Sequence, residues 1–127
     1  MELTRFEKGL QKLSEVDGTA GEHVIHNLKD IAPDLGKYIV EFAFGDIYCR
    51  EFLNLQEREM ITLSSLLTLG GCETQLEVHI NGALNVGVSP QKMIEVFLQC
   101  IPYTGFPRVL NAVGVAKKVF QSRNVAI

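Results

Sequence analysis

The sequence predicts an all-α fold, and three observations carry that prediction. Apolar residues recur three and four positions apart along most of the chain, as they do on one face of an α-helix. Helix-ending signals such as Gly70-Gly71, and helix-starting signals such as Ser89-Pro90, separate these segments. No segment shows the apolar–polar alternation and turn pairs of β-hairpins. We therefore predict about seven helices in a single domain over residues 1–127.

The first half of the chain predicts three helices. The first is amphipathic, with apolar residues at helical spacing: Leu3, Phe6, Leu10 and Leu13. Thr19 and Glu22 match a capping box, which predicts a second helix that ends at Ile31. Pro33 suits the first turn of a third helix, whose apolar side extends toward Ile47. Residues 49–53 are predicted to be a connector.

The second half predicts four more helices. Asn54 and Glu57 match a second capping box, Gly87 closes the helix that begins at Cys72, and Pro107 begins the last helix. The four predicted ranges are 54–69, 72–86, 89–103 and 107–120. Two of these segments, 61–69 and 93–101, are apolar on more than one face. Because so short a chain cannot bury all of this surface, we expect a homo-oligomer.

Composition narrows the classes of function. The 127 residues are 46% hydrophobic and carry a net charge of −3, without the basic face that nucleic-acid binding requires. No apolar run approaches the roughly 20 residues that cross a bilayer, and the N-terminus lacks an apolar signal core. Three scattered cysteines do not make a disulfide scaffold. We expect a cytoplasmic protein that binds neither nucleic acid nor membrane.

A cysteine and a histidine share the fifth predicted helix, in the pattern Cys72-x-x-Gln75-x-x-x-His79. Residues four apart lie on one face of a helix, so Gln75 neighbours His79. Cys72 lies about 10 Å further along the axis, given a rise of about 1.5 Å per residue. A thiol at a helix N-terminus is favoured as a thiolate by the helix dipole.

Four motifs together resemble the carboxymuconolactone decarboxylase family and the related AhpD-type thiol peroxidases. They are Phe44-Gly45-Asp46-Ile47-Tyr48, the segment 58–63 (Arg-Glu-Met-Ile-Thr-Leu), the histidine helix 77–87, and 95–107 with its Glu-Val-x-x-Gln and Tyr-x-Gly-x-Pro patterns. The resemblance extends from about Leu35 to Phe120. It implies an AhpD-like helical subunit that assembles into trimers or hexamers, with its site near the histidine helix.

One departure from the redox relatives decides which chemistry we expect. Those relatives carry Cys-x-x-Cys-x-x-x-His, whereas Gln75 replaces the second cysteine of this chain. A local dithiol cycle is therefore excluded. The resemblance favours the decarboxylase branch, with a small carboxylated lactone or related organic acid as substrate and no cofactor.

Decarboxylation of such a lactone needs a donor to the developing negative oxygen, an acid that protonates carbon, and a cation for the remaining carboxylate. We assign His79 as donor or acid, because its ordinary pKa near 6.5 allows either role around neutrality. Glu59 is the candidate proton relay and Arg58 the candidate carboxylate clamp. Gln75 and Tyr103 complete the expected substrate-binding set.

Two other functions remain open at this point. The first is a thiol peroxidase or reductase in which Cys72 reacts and Cys49 or Cys100 resolves the product. The second is a non-enzymatic oligomer that binds a small ligand, in which His79 is a core histidine and Cys72 an inert apolar residue. A metal site is not expected, because the only histidine pair at ligand spacing, His23 and His26, has too few partners.

Overall fold

Every regular element of the computed structural model is helical. The structure describes residues 2–127, and within that range it contains seven α-helices, one π-helix and no strand, which confirms the all-α prediction. In chain order these are α1 (Arg5–Asp17), α2 (Thr19–Leu28), α3 (Pro33–Tyr38), the π-helix (Ile39–Ile47), α4 (Leu55–Leu69), α5 (Glu73–Asn85), α6 (Pro90–Thr104) and α7 (Phe106–Ser122). None of these helices has both the length and the apolar content to span a lipid bilayer.

The helices fall into two compact units, Met1–Leu55 and Gln56–Ile127. The first unit holds α1, α2, α3 and the π-helix, and the second holds α5, α6, α7 and all of α4 except its first residue. The single domain expected over residues 1–127 stays a prediction.

A capping box does occur in the first unit, but at α1 and not where the sequence analysis placed it. The Thr4 hydroxyl oxygen accepts the Glu7 backbone N–H at 3.0 Å, and the Glu7 carboxylate accepts the Thr4 N–H at 3.1 Å. The prediction of a box at Thr19 is wrong, because Gly18 is the N-cap of α2 and no side chain caps that helix. Helix α2 also ends at Leu28, three residues before the predicted Ile31.

Glycines let α1 pack closely against the π-helix. A methyl group built on Gly9 would lie 1.9 Å from the carbonyl oxygen of Val40, and one on Gly45 would lie 3.1 Å from the carbonyl oxygen of Arg5. Gly9, Val40 and Gly45 are accordingly buried. The π-helix continues directly from α3, and its wider turn shows in the bond from the Tyr48 N–H to the Ala43 carbonyl, five residues back. The sequence analysis predicted a single helix here.

The second unit has its own apolar core, in which α7 packs on both α5 and α6. The core side chains are no more than 4% exposed: Leu63, Leu67, Leu76, Ile80, Ala83, Val88, Met93, Phe97, Val109, Ala112, Ala116, Val119 and Phe120. They come from all four helices of the unit and from the connector before α6. This core is what fixes the relative placement of α4 and α5.

Helix boundaries in the second unit follow the predicted signals closely. Ser89 caps α6 by accepting the Lys92 N–H at 3.1 Å, with Pro90 in the first turn. Helix α6 continues through Pro102 to Thr104, one residue past the predicted end at 103. Gly105, with a φ of 92°, ends α6 and is also the N-cap of α7. A proline so near the C-terminus of a helix removes only one of its last backbone bonds, so the helix tolerates it.

Replacing Gly9 with alanine is expected to destabilise the protein by about 1–3 kcal/mol, since the new methyl group meets backbone that cannot move cheaply. Chemical denaturation monitored by circular dichroism measures the change. Gly114→Ala in α7 is the matched control, because nothing lies within 4 Å of its added methyl group. That control is expected to be neutral or stabilising by up to about 1 kcal/mol. Equal stability of both variants would contradict the packing described here.

The Arg5–Asp46 pair predicts an acid dependence of stability. The Arg5 Nε donates to both carboxylate oxygens of Asp46, at 3.0 and 3.1 Å, and this hydrogen bonding lowers the pKa of Asp46 below its ordinary 3.8. A lowered folded-state pKa adds stability above the unfolded value, and that stability is lost as pH falls through the folded value. Thermal unfolding should therefore show Asp46→Asn below wild type at pH 7, with the gap closing below about pH 4. Asp30→Asn, which removes an exposed carboxylate, should show no such gap.

Candidate functional site

The candidate site is built on α4 and α5, which form a helical hairpin within the second unit. Gly70 and Gly71 both have a φ of 71°, a conformation that other residues rarely adopt, and they turn the chain between the two helices. The Gly70 N–H bonds the Leu66 carbonyl at 3.2 Å, which closes α4, and Cys72 is the N-cap of α5. Glu59 contacts His79, and Gln56, which is earlier in α4, contacts Val86 after the end of α5, so the two helices run in opposite directions.

Glu59 and His79 face each other across this hairpin. The His79 Nδ1 lies 3.0 Å from Oε1 of Glu59, which is the length of a hydrogen bond. The Glu59 side chain is fully buried, whereas the His79 side chain keeps 20% of its surface exposed. The carboxylate is therefore shielded from water while the imidazole ring remains reachable. Of the residues that the sequence analysis singled out, these two are in direct contact.

The hydrogen bond assigns different roles to the two ring nitrogens. When Glu59 is ionised it only accepts hydrogen bonds, and Nδ1 of His79 then carries the proton that lies between the two groups. The other ring nitrogen, Nε2, accepts a proton in the neutral ring and donates one in the imidazolium. The pair can thus deliver a proton from Nε2 and recover it.

Cys72 occupies the predicted position at the start of α5. Its side chain is half-buried, and its thiol Sγ lies 3.5 Å from the Gly70 carbonyl oxygen, to which it donates. Along the helix axis Cys72 and His79 are separated by about 10 Å, so the histidine does not contact the thiol. Cys49, Cys72 and Cys100 are all half-buried free thiols.

The three expected substrate-binding residues lie in different settings. Arg58 is half-buried beside Glu59 in α4, and its carbonyl accepts the Thr62 hydroxyl at 2.9 Å. Gln75 lies one turn before His79 and is exposed; within residues 2–127 it makes no hydrogen bond to the ring, whose Nδ1 bonds Glu59. Tyr103 is 82% exposed near the end of α6. Only Arg58 is adjacent in the chain to a member of the Glu59–His79 pair. The roles of all three stay predictions.

Sequence reasoning missed one residue of the hairpin. Gln56 lies in the first turn of α4, and its Nε2 donates to the Val86 carbonyl at the end of α5, at 3.1 Å. No local sequence pattern identifies Gln56 as a contact residue, because its partner is thirty residues away. The spacing of the hairpin was the available clue, since residues equidistant from the Gly70-Gly71 turn meet across it.

Comparison with known proteins shows the family to which the chain belongs. The Carboxymuconolactone decarboxylase family matches residues 33–118, more than half of the chain and a range that includes Glu59, Cys72 and His79. The chain is 33% identical over 125 residues to a 4-carboxymuconolactone decarboxylase of Acinetobacter baylyi, covering 96% of this chain and 91% of that protein.

Two further relatives are more distant. A nitrosuccinic acid decarboxylase of Metarhizium robertsii is 29% identical over 118 residues, covering 89% of this chain and 79% of that protein. An uncharacterised 15.0 kDa protein of Paracoccus denitrificans is 24% identical over 112 residues, covering 87% of this chain and 84% of that protein. On the family match and the identity to the Acinetobacter protein, the chain belongs to the carboxymuconolactone decarboxylase family.

Proposed function

We propose that this protein is a cofactor-free decarboxylase of small organic acids, in which His79 is the proton donor. The observation that supports the proposal is the hydrogen bond between the fully buried Glu59 and His79, whose side chain keeps 20% of its surface exposed. Family membership supports it, as do two relatives named as decarboxylases.

The names of those relatives suggest a substrate class. One acts on 4-carboxymuconolactone and the other on nitrosuccinic acid. A conjugated lactone carbonyl and a nitro group are both electron acceptors, and each accompanies a carboxylate that departs as carbon dioxide. We propose for this chain an acid whose leaving carboxylate is attached near such an acceptor. Both of those compounds have a second carboxylate, which a cationic side chain would bind.

The reaction balances without any oxidant or reductant. The bond between the carboxylate carbon and the adjacent carbon breaks, carbon dioxide leaves, and the electron pair delocalises into the acceptor group. A proton from Nε2 of His79 then forms the new bond to carbon, and the neutral ring regains a proton from water. Glu59 holds the ring by its Nδ1–H throughout and stabilises the imidazolium before the transfer. The net change is replacement of a carboxylate by hydrogen.

Arg58 and Tyr103 are proposed to hold the substrate. Arg58 lies in α4, and its half-buried guanidinium is proposed to bind the carboxylate that stays. The phenol of Tyr103 is almost entirely exposed in a single chain, and it would reach a substrate held at a contact between chains. Gln75, exposed one turn from His79, is proposed to bond the same substrate.

Substitutions at His79, Glu59 and Cys72 test the proposal, with loss of the ultraviolet absorbance of 4-carboxymuconolactone, and release of carbon dioxide from nitrosuccinate, as readouts. His79→Gln should lower turnover by about 100-fold or more, since it removes the acid. Glu59→Gln keeps the volume but loses the charge that stabilises the imidazolium, so a smaller loss of about tenfold is expected.

Cys72→Ala is the matched control and should turn over within about twofold of wild type, since decarboxylation needs no thiol. Full activity of His79→Gln would remove His79 from the mechanism. A protein that consumes peroxide and loses that activity in Cys72→Ala would instead support the thiol peroxidase alternative. Absence of both activities would support the third function, a non-enzymatic oligomer that binds a small ligand.

We also propose that the chain assembles into a homo-oligomer, a trimer or hexamer. Large apolar side chains of the second unit are more than half exposed in a single chain: Ile61, Leu69, Phe106 and Leu110. Light scattering after gel filtration should give three or six times the 14.1 kDa of one chain. Leu110→Glu should lower that mass, whereas Gln91→Glu, at an exposed polar position of α6, should not. A monomer in wild type would contradict the proposal.

A further inference from the structure

A groove of about 520 Å³ lies in the second unit, between α6, α7 and the residues that follow α7. Ile94 of α6 and Val113 of α7 line it, together with Val125 and Ile127 after α7. The buried ring of Phe120 lines it as well. Its volume falls in the range of small-molecule sites, roughly 300–1,000 Å³. None of its lining residues takes part in the proposed decarboxylation.

Hydrogen bonds fix the side of the groove that follows α7. Asn124 has a φ of 53°, in the left-handed region, which asparagine enters more readily than most residues. The Asn124 N–H bonds the Gln121 carbonyl at 3.2 Å, and the Val125 N–H bonds the Phe120 carbonyl at 2.9 Å. These two bonds are the Schellman motif of a helix C-terminus. They turn the chain so that the Val125 side chain packs against the apolar core.

Lys117 gives this apolar groove a positive charge. Val113, Lys117 and Gln121 are four residues apart, so they share one face of α7. Within residues 2–127, no carboxylate lies at ion-pair distance from the Lys117 ammonium. The side-chain amides of Gln121 and Asn124 add neutral N–H donors to the same lining, which contains no acid. The groove therefore combines apolar walls with one cation that no carboxylate neutralises.

The surrounding sequence has the same sign of charge. The whole chain carries a net charge of −3, but residues 96–127 contain no aspartate or glutamate. They do contain four cations: Arg108, Lys117, Lys118 and Arg123. This part of the chain therefore attracts anions. One ammonium in the groove matches the single charge of a carboxylate, whose two oxygens accept hydrogen bonds from ammonium and amide donors.

We propose that this groove binds a monocarboxylate with an apolar chain, of the kind of a medium-chain fatty acid. The carboxylate binds the Lys117 ammonium, and the chain lies against the apolar side chains of Ile94, Val113 and Val125. The protein thus has a ligand site besides the Glu59–His79 pair. Because the two sites share no residue, this one can be tested whether or not the protein is a decarboxylase.

Octanoate is the probe, titrated into the full-length protein while backbone amide signals are followed by NMR. The signals of the groove residues on α7 should shift and saturate. Octanoate should bind at least about fourfold more tightly than hexanoate, because two more methylenes leave water. Ile127→Ser should weaken octanoate binding by about twofold or more, since it removes apolar surface. Ile127 is 73% exposed, so this change leaves the core intact.

Substitution of Lys117 tests the charge, and its neighbour is the matched control. Lys117→Gln keeps N–H donors but loses the cation, so it should weaken octanoate binding by about threefold or more. Lys118→Gln removes the adjacent lysine, which does not line the groove, and should change the Kd by less than about 1.5-fold. Octanamide, which is uncharged, should bind wild type and Lys117→Gln equally. His79→Gln should bind octanoate as wild type does.

Several results would overturn the proposal. One is a lack of saturable octanoate binding up to about 10 mM, since a ten-atom ligand that fits its groove binds below that concentration. Equal weakening by Lys117→Gln and Lys118→Gln would show unspecific attraction, and loss of binding in His79→Gln would place the acid at the other site. If octanoate does not bind and Ile127→Ser lowers the mass measured by light scattering, the groove is a contact between copies. Binding to phosphatidylglycerol vesicles without octanoate binding would make it a lipid contact instead.

Discussion

The hydrogen bond between Glu59 and His79 is the interaction on which the proposed chemistry of this protein depends. A fully buried carboxylate is costly unless polar partners compensate it, and the imidazole is one such partner. In return, the carboxylate orients the ring through its contact with Nδ1. Each residue therefore accounts for the presence of the other. Neither would be a convincing functional residue alone, since isolated histidines and glutamates are common in helices.

The hairpin explains how so short a chain holds this pair in place. Leu63 and Leu67 on α4, and Leu76 and Ile80 on α5, are buried in one core, so the two helices cannot rotate independently. The glycine turn sets their direction, and the apolar side chains set their distance. Charged groups placed on rigid helices, rather than on loops, keep their geometry as the substrate changes, which suits the proposed decarboxylation by a single acid without a cofactor.

Local features of the fold were predictable from the sequence, and contacts between distant residues were not. The Ser89-Pro90 start and the Gly70-Gly71 stop are decided by neighbouring residues, and the structure has both. The capping box was assigned to Thr19 although Thr4 and Glu7 carry the same pattern, since a short motif does not say where its helix begins. The sequence analysis did not predict the π-helix, because nine residues are too few to distinguish its period from that of an α-helix.

The same limit applied to the candidate site. Glu59 and His79 were identified from a resemblance to known motifs, while their pairing required the hairpin to be folded. Gln56 had no motif at all, because its partner is a backbone carbonyl that any residue would supply. Sequence patterns therefore indicate which side chains are chemically capable, and the three-dimensional arrangement decides which of them act together.

Burial of Glu59 has a consequence for how the sequence can diverge. A descendant that lost the histidine first would retain an enclosed negative charge deprived of one of its partners, and would fold less well. Losing the acid first would leave the ring without its anchor, but would remove the enclosed charge as well. Positions 59 and 79 are therefore expected to change together, and relatives that lack the chemistry should carry replacements at both, with the acidic position changing no later than the other.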